Sequence, residues 1–551
     1  MSITIAPTSA LITVGAQRQF QATVTGSANL GVTWTVSGAG CAGSACGTIT
    51  SVGLYAAPAT VPNPAAVKVT ARAQADTSQS ASAVITITPT NNSKMQGRYA
   101  FLFKGFDSAG VYEAAASFVA DGNGNVTSGI EDINRTSGPH LGLAISGTYQ
   151  IGGDNRGTLT LKSNLGTSTF AFALNGSARA GSLVESDNSG IRGSGAMKLQ
   201  DPTAFDPSVF SGGYALSLTG ADAAGGRIAA IGSIFPSGVG TISGSSLDVN
   251  DAGDMMPTFG TFSGTYGVDG TGHGRATLVI PGFDGGTFNF ALCAISASEY
   301  FILSIDPLSA NNPIFAGTLE AQTGLPFLTS SFKGASIFDS TGSSGNLAQV
   351  TVGRMLFDGT GDIQVQFDQN QGGNITIAGL LTGAYSIQLN GRGVLNLDNA
   401  QNGAQSVWIL YAIGPNRAFV LSSDGSVGSG DVKPQALAPP FETGDLEGNF
   451  EFGAGEPASY QAALLSGTVF FDGASTFSGA EDKSYSGTFA ADLPLTGKYA
   501  ISQVSNNGRG VAMLTSPAAS TQALWVVSGL EAVGLDVSSA NTTPTVLLFE
   551  Q

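Results

Sequence analysis

The sequence predicts an all-β protein, with an N-terminal β-sandwich followed by four tandem repeats, each an eight-stranded antiparallel up-and-down β-barrel or sandwich. Composition is the first observation: the 77 glycines and the 11% of charged residues indicate many tight turns and few surface helices. Length is the second, because 551 residues exceed the size at which one apolar core keeps growing. The third is internal repetition, with landmarks that recur about every 117 residues.

The landmarks also place the domain boundaries. We expect five domains, an N-terminal one and four repeats, at residues 1–90, 96–201, 208–323, 327–438 and 445–551. The stretch 89–94 is polar and has no hydrophobic periodicity, so it is expected to be the linker after the first domain.

The first ninety residues alternate short β-branched runs with turn residues, which predicts the six or seven strands of a β-sandwich. Five motifs stand in one order, ITVGAQRQFQATV, VTWTV, GTI, GLYAAP and VKVTA, and they begin at positions 12, 32, 47, 53 and 67. This order resembles the bacterial Ig-like domain of group 2, which occurs in surface proteins and adhesins of the invasin and intimin class. The resemblance implies a spacer or presenting stalk on the bacterial cell exterior, with Trp34 as the aromatic of its core.

The cysteines and the start of the chain bear on the compartment. Cys41 and Cys46 lie five residues apart in a loop of Gly, Ala and Ser, which favours a small disulfide over a zinc site; two free thiols are the alternative. Cys293 lies in a strand-like run and is expected to be a buried, inert thiol. The chain enters a strand pattern at once, without a basic or apolar leader region. We therefore expect that an export signal has been removed and that the protein is secreted or on the cell surface.

Five landmarks recur four times in one order: an opening aromatic, an Asp-Gly type of turn, a Gly-x-Tyr triplet, an arginine beside a small residue, and a terminal glutamine. In the first copy they are Tyr99, Asp121-Gly122, Gly147-Thr148-Tyr149, Arg156 and Gln200. Turn residues divide this copy into eight predicted strands. The strands are 97–105, 110–120, 125–134, 144–151, 156–163, 167–174, 179–186 and 192–200.

Eight strands joined by short loops either close into a barrel or fold as two packed sheets. We favour the barrel, because closure removes the strand edges that neighbouring copies could otherwise pair with. The layout is similar to that of small barrels of the avidin and lipocalin type, in architecture only, and no ligand residue is carried over. An eight-bladed propeller with two blades per repeat is the rival. It would need a sub-period of about 57 residues, which the turns do not show.

The arginine of the fourth landmark stands in all four copies of a chain with few charges, as Arg156, Arg275, Arg392 and Arg509. We predict a structural role for it, either capping a barrel end by hydrogen bonds to carbonyls or pairing with an aspartate that also recurs. Anion binding is the alternative. The recurring aspartates are Asp187, Asp306, Asp424 and Asp536.

Residues with catalytic or metal-binding chemistry are sparse. Residues 121–132 space oxygen side chains like a calcium-binding EF-hand loop, but the sixth position lacks the required glycine, so a hairpin turn explains them better. His140 and His273 lie at non-equivalent positions of two repeats. The pairs Glu131-Asp132 and Glu481-Asp482 leave a glycosidase-like site open, although adjacent residues of a strand face opposite sides. We predict no catalytic residue, no cofactor and no metal site.

The net charge of −17 disfavours binding to nucleic acid and to anionic lipid, and every apolar run is far too short to span a bilayer. We expect a modular, non-enzymatic protein that serves in adhesion or binding or as a structural spacer. Its partner would be extracellular, with a glycan or a surface protein as the candidates. Two alternatives stay open: barrels that carry a small apolar ligand, and an enzyme, or the accessory module of one, that acts on polysaccharide.

Overall fold

Strands form nearly all of the regular structure, as the sequence predicts. A computed structural model describes residues 1–187, 189–283, 286–399, 403–485 and 488–551. Its described residues contain no α-helix, and their helical elements are short 3-10 turns. These turns are Gly43–Cys46, Asn92–Lys94, Pro202–Phe205, Pro207–Val209, Thr329–Ser331 and Thr443–Asp445. The chain forms two compact units, Met1–Lys94 with Tyr149–Thr158, and Met95–Thr148 with Leu159–Gln551.

The N-terminal region has nine short strands in three sheets, which pair as β1-β4, β2-β9-β8-β5 and β3-β7-β6. Phe20 and Tyr55 are fully buried in its core, with ring centroids 6.5 Å apart, and Trp34 packs against that core. The strands are β1 (Ser2–Ala6), β2 (Ser9–Thr13), β3 (Gln17–Gln19), β4 (Gln21–Thr25), β5 (Val32–Gly38), β6 (Thr48–Ile49), β7 (Leu54–Ala56), β8 (Ala66–Ala73) and β9 (Ser80–Thr88).

The repeats form four closed antiparallel barrels. Barrel 1 comprises β10 (Gln96–Asp107), β11 (Gly110–Asp121), β12 (Asn125–Arg135), β13 (His140–Ile151), β14 (Arg156–Ser163), β15 (Gly166–Leu174), β16 (Ala180–Glu185) and β17 (Arg192–Leu199). Barrel 2 comprises β18 (Tyr214–Ala221), β19 (Arg227–Pro236), β20 (Thr241–Asp251), the short extra strand β21 (Asp254–Met255), β22 (Phe262–Val268), β23 (His273–Val279), β24 (Thr287–Ser296), β25 (Glu299–Ser304) and β26 (Ile314–Ala321).

Barrel 3 comprises β27 (Lys333–Ser344), β28 (Leu347–Asp358), β29 (Asp362–Gln371), β30 (Asn374–Ile387), β31 (Arg392–Asn399), β32 (Gln405–Gly414), β33 (Arg417–Ser422) and β34 (Ser426–Pro434). Barrel 4 comprises β35 (Glu447–Ala454), β36 (Leu464–Asp472), β37 (Thr476–Tyr485), β38 (Thr488–Ile501), β39 (Arg509–Ser516), β40 (Ser520–Ser528), β41 (Glu531–Asp536) and β42 (Val546–Glu550). Apart from the short extra strand β21, which pairs with β20, sequence neighbours pair within each barrel and the first strand pairs with the last, so every barrel is of the up-and-down type.

The repeated Gly-x-Tyr triplet fits one tight place in each barrel. A Cβ atom on Gly383 would lie 1.9 Å from the carbonyl oxygen of Asn396 on the next strand, so only glycine lets the two strands approach. Two residues on, the hydroxyl of Tyr385 donates to the carbonyl oxygen of Phe332 at 2.7 Å. This bond ties the segment that enters the barrel to the barrel wall. Tyr266 and Tyr499 make equivalent bonds in barrels 2 and 4.

The four barrels pack as a closed ring. Strands one to three of each barrel lie against strands six to eight of the next, and β35, β36 and β37 of barrel 4 complete the cycle by packing on β15, β16 and β17 of barrel 1. A head-to-tail contact of this kind closes when the successive rotations add up to a full turn. We call each contact between successive barrels a seam, and the four are seams 1/2, 2/3, 3/4 and 4/1.

Candidate functional site

Seam 2/3 shows what the repeated arginine does. Arg392 opens β31, and its Nε and Nη2 atoms each donate to one carboxylate oxygen of Asp248, on β20 of barrel 2, at 2.7 Å. The hydroxyls of Tyr411 and Thr258 donate to the same carboxylate at 2.8 and 2.7 Å. Asp248 is 0% exposed, so its charge depends on these donors in place of water.

The neighbouring seams repeat this arrangement. In seam 3/4, Arg509 donates to both carboxylate oxygens of Asp368 at 2.8 and 2.9 Å, and the indole N–H of Trp525 adds a bond of 2.9 Å. In seam 1/2, Arg275 donates to both oxygens of Asp132 at 2.8 Å each. Because a two-pronged guanidinium–carboxylate pair has a fixed geometry, each pair sets the register of one barrel against the next.

The sequence suggested other partners for these arginines. Asp306 and Asp187 instead accept hydrogen bonds from backbone N–H groups of the sixth strand of their own barrels, at 2.6 and 2.7 Å. Arg156 of the first copy lies in the first compact unit, where its Nε donates to Asp154 at 2.8 Å. The arginines of barrels 2, 3 and 4 therefore cross to an aspartate of the preceding repeat, which the recurring aspartates did not reveal.

Amide side chains add a second set of links across the seams. Asn250 follows Asp248 on the same face of β20, and its side-chain amide donates to the carbonyls of Ser422 and Ser426 of barrel 3 at 2.8 Å each. Asn134 and Asn370 do the same in the other two seams. The terminal glutamine also reaches the next barrel: Gln200, Gln322 and Gln435 donate to the carbonyls of Ala294, Ala412 and Val526.

Sequence inspection missed the aspartates and asparagines of the seams, although a signal is present. An Asp-x-Asn triplet recurs ten or eleven residues after the start of the turn landmark, and the fourth copy has Asp-x-Ser. The triplets are 132–134, 248–250, 368–370 and 482–484. The first three triplets reach arginines and carbonyls of another repeat, so no pattern within one copy identifies the pairing.

Seam 4/1 is joined by hydroxyl groups. The hydroxyl of Ser182 on β16 lies 2.9 Å from a carboxylate oxygen of Glu451 and 3.0 Å from the hydroxyl of Ser466, both in barrel 4. Ser194 donates to the carbonyl of Gly455 at 2.7 Å. The other three seams contain apolar clusters, whose members include Cys293, Tyr411 and Trp525.

In each of the two acidic pairs that could have formed a hydrolytic site, the two residues are adjacent on one strand. Asp132 points to seam 1/2, and Glu131 lies on the opposite face of the same strand, as alternation requires. Burial, with a contribution from Asp132, raises the pKa of Glu131 to about 7. Asp121, at the other end of the EF-hand-like stretch, accepts hydrogen bonds from the backbone N–H groups of Asn123 and Asn125 in a hairpin turn.

The remaining candidate residues have structural partners. His273 lies 2.6 Å from Asp132, and His140 lies 2.9 Å from the guanidinium of Arg135. Cys41 and Cys46 form a disulfide. Cys293 is a buried free thiol, and burial raises its pKa to about 12. The described residues contain no group of three or more His, Cys, Asp or Glu side chains that could hold a metal ion.

The two tryptophans of the sixth strands occupy different places. Trp408 packs on the core of barrel 3, in an edge-to-face contact with Phe338 at 5.4 Å between ring centroids. Trp525 is fully buried in seam 3/4 and lies opposite Arg509. Its counterpart in barrel 3 is Tyr411, which lies opposite Arg392. Trp408 therefore packs inside one barrel, whereas Trp525 packs between two barrels.

A cavity of about 350 Å³ lies at the centre of the ring, lined by strands one, seven and eight of the barrels. Within this cavity lining, the carboxylate of Glu456 in barrel 4 forms ion pairs with Lys104 of barrel 1 (Oε2 to Nζ, 2.9 Å) and with Arg227 of barrel 2 (Oε1 to Nη1, 2.6 Å). Arg227 also donates to the carbonyl of Thr341 in barrel 3 at 3.2 Å. Although burial alone would raise the pKa of Glu456, the two cations lower it to about 2. Glu456 and Arg227 together thus connect all four repeats.

The described spaces inside barrels 2 and 3 are smaller than this central cavity. Barrel 2 encloses apolar voids of about 10 Å³, which are too small for any ligand. Barrel 3 has a pocket of about 120 Å³ at one end, lined by polar groups such as Gln369, Ser406 and Asp424 beside Trp408. Pockets for drug-sized ligands are typically about 300–1,000 Å³, so the central cavity alone among these spaces reaches that size.

Neither protein-family models nor curated proteins give a match to this chain. The fold is therefore assigned from the strand pairing alone. The resemblance of the first ninety residues to a bacterial Ig-like domain stays a prediction. Within the described ranges, the structure has no helix with the length and apolar content that crossing a bilayer requires.

Proposed function

We propose that this chain is a secreted or cell-surface protein without enzymatic activity, in which the ring of barrels is a stiff body for adhesion or binding. The observation that carries the proposal is the set of arginine–aspartate pairs described in seams 1/2, 2/3 and 3/4, in each of which the aspartate is fully buried. Such pairs fix one barrel against the next, because breaking one leaves an uncompensated buried charge. A binding platform benefits from this stiffness, since fewer degrees of freedom are lost when a partner binds.

Two further observations support a location outside the cell. The disulfide between Cys41 and Cys46 suits an oxidising compartment, because cytosolic thiols are kept reduced. The motifs of the first ninety residues resemble a domain of bacterial surface proteins. We infer that this N-terminal region serves as a spacer and that the partner is an extracellular glycan or surface protein.

The absence of enzymatic activity is inferred from how the acid–base groups are used. Asp132 holds Arg275, His273 lies on that same carboxylate, and Glu456 holds Lys104 and Arg227. A general acid or base must instead reach a substrate proton directly or through one water. These groups have structural partners, which supports a binding or structural role for the chain.

The compartment is tested on intact cells that make the protein. A membrane-impermeant amine label and protease shaving should both reach the chain, and alkylation before reduction should leave Cys41 and Cys46 unmodified. A cytosolic protein of known location is the control for leakage. Recovery of the chain only after lysis, with both cysteines alkylated, would contradict the proposed location.

The binding role is tested with the full chain, because the seams would be exposed in an isolated repeat. A glycan array and a panel of cell-surface proteins should retain the folded chain and should not retain chain unfolded in urea. Array glycans incubated with the chain should keep their length. Cleaved glycan products would refute the non-enzymatic assignment, and equal retention of folded and unfolded chain would refute specific binding.

A further inference from the structure

In three seams an ion pair lies at the edge of the central cavity, at equivalent positions of the barrels. In these seams a residue of strand eight in one barrel pairs with a residue of strand seven in the next, and the signs of the charges vary from seam to seam. The pairs are Lys198 with Glu299, Glu320 with Arg417, and Lys433 with Glu531. Each pair compensates its own charges beside the cavity, which both partners line.

Seam 4/1 breaks this rule. Strand pairing places Glu550 at the strand-eight position that Lys198, Glu320 and Lys433 occupy in the other barrels. Its partner position on strand seven of barrel 1 is Ala180, which faces the same cavity and has no charge. An acid therefore stands at this seam without the base that the pattern requires.

A second carboxyl group increases the imbalance. Glu451 lies directly opposite Glu550 on the neighbouring strand, where the other barrels have Ala100, Ala215 and Ile337. Glu451 is 8% exposed, and it accepts a hydrogen bond from Ser182, while Glu550 accepts one from Asn175 at 2.9 Å. In the described part of the chain neither carboxylate forms an ion pair. Two acids directly opposite each other on paired strands oppose each other's ionisation, and a cation bound between them would remove this cost.

We propose that seam 4/1 binds the ammonium group of a small organic amine, which takes the place of the missing basic side chain. Glu320, the counterpart of Glu550, holds the guanidinium of Arg417, so the same backbone geometry already presents a carboxylate to an N–H cation elsewhere in the ring. The hydroxyls of Ser182 and Ser466 lie beside Glu451 as further polar partners.

The chemistry favours an amine over a metal ion. Calcium takes six to eight oxygen ligands and magnesium a strict octahedron, whereas this place offers two carboxylates on neighbouring strands. An ammonium group needs about three acceptors. The cavity of about 350 Å³ has room for the carbon chain of a small amine, and Leu548 and Phe549 provide apolar lining on the same strand as Glu550.

The probe is 1,4-diaminobutane, measured by isothermal titration calorimetry on the full chain, with butane-1,4-diol as the uncharged analogue and calcium chloride as the metal. We expect the diamine to bind and the diol and calcium not to bind. Glu550→Gln should weaken diamine binding about tenfold or more, because it removes one charge-assisted bond. Glu447→Gln is the matched control at an exposed glutamate outside the cavity lining, and it should leave binding unchanged.

Ala180→Lys supplies the cation covalently and should abolish diamine binding while raising the melting temperature of the ring. Circular dichroism of each variant checks the fold. If Ala180→Lys does not fold, Glu550→Gln still tests the proposal, because Glu550 is exposed and its replacement should not disturb folding. The proposal is overturned if the diamine shows no binding at a concentration of about 10 mM, which corresponds to a binding free energy weaker than about 2.7 kcal/mol. It is also overturned if all variants bind the diamine equally, or if calcium binds in its place with the same dependence on Glu550.

Discussion

Replacing Asp248 by asparagine isolates the contribution of one seam. The carboxylate is fully buried and accepts two bonds of 2.7 Å from Arg392, with further bonds from Tyr411 and Thr258. Asparagine has nearly the same shape but no charge, and its NH2 group would face the guanidinium, so Arg392 would lose its counter-ion while 14% exposed. Removing one partner of a buried pair costs about 3–5 kcal/mol. We expect a loss of that size in the free energy of unfolding.

The assay is urea unfolding of the full chain followed by tryptophan fluorescence, since Trp408 reports on barrel 3. Asp254→Asn is the matched control at an exposed aspartate of the same barrel, and it should change the free energy of unfolding by no more than about 0.5 kcal/mol. Arg392→Met in the Asp248→Asn background should recover part of the loss, because it removes the stranded charge. A loss below about 1 kcal/mol for Asp248→Asn would refute a stabilising role of the buried pair.

Two further predictions concern pH and backbone packing. Burial and Glu550 raise the pKa of Glu451 to about 8, whereas an unfolded glutamate titrates near 4.3. Between about pH 4.3 and about pH 8 the folded state therefore binds one more proton at Glu451 than the unfolded state does. The free energy of unfolding is highest below the unfolded pKa and falls as the pH rises through about 8, by up to about 1.4 kcal/mol per pH unit. The melting temperature of Glu451→Gln should fall less between pH 5 and pH 9 than that of the parent, and an equal fall would exclude this residue as a cause. On β22, Gly264→Ala would place a Cβ atom 2.2 Å from the carbonyl oxygen of Thr277 and should lower the melting temperature by at least several degrees. The control is Gly267→Ala, whose Cβ atom would meet nothing within 4 Å and should leave the melting temperature unchanged. Equal effects of the two substitutions would refute the steric argument.

Local patterns were enough to predict the strands. Gly, Asn and Asp at the turns and alternating apolar residues between them predicted eight strands in the first copy, and each lies within a few residues of an observed one. Closure into barrels followed from edge protection, and the structure confirms it. These features could be predicted because each depends on residues close together in one repeat.

The seams could not be predicted in the same way. Asp248 and Arg392 are 144 residues apart and lie in different copies, so the pairing depends on how barrels pack. The repeated arginine was recognised, but its partner was sought within its own copy. Glu456 is harder still to predict, because its contacts with Lys104 and Arg227 have no equivalent among the described residues of the other repeats. Repetition reveals which residues recur, whereas the places where the ring departs from symmetry become visible only in three dimensions.

The last barrel packs on the first and so closes the ring. Ser182 of barrel 1 and Ser466 of barrel 4 have hydroxyl oxygens 3.0 Å apart, although 284 residues separate them in the chain. Two cysteines at these positions are therefore within reach of a disulfide. We expect Ser182→Cys with Ser466→Cys to form this bond in most folded molecules under mild oxidation, as peptide mass spectrometry would detect, while the single variant Ser182→Cys forms none. If the double variant keeps two free thiols that alkylate readily in the folded protein, the ring is open and the account of the seams is wrong.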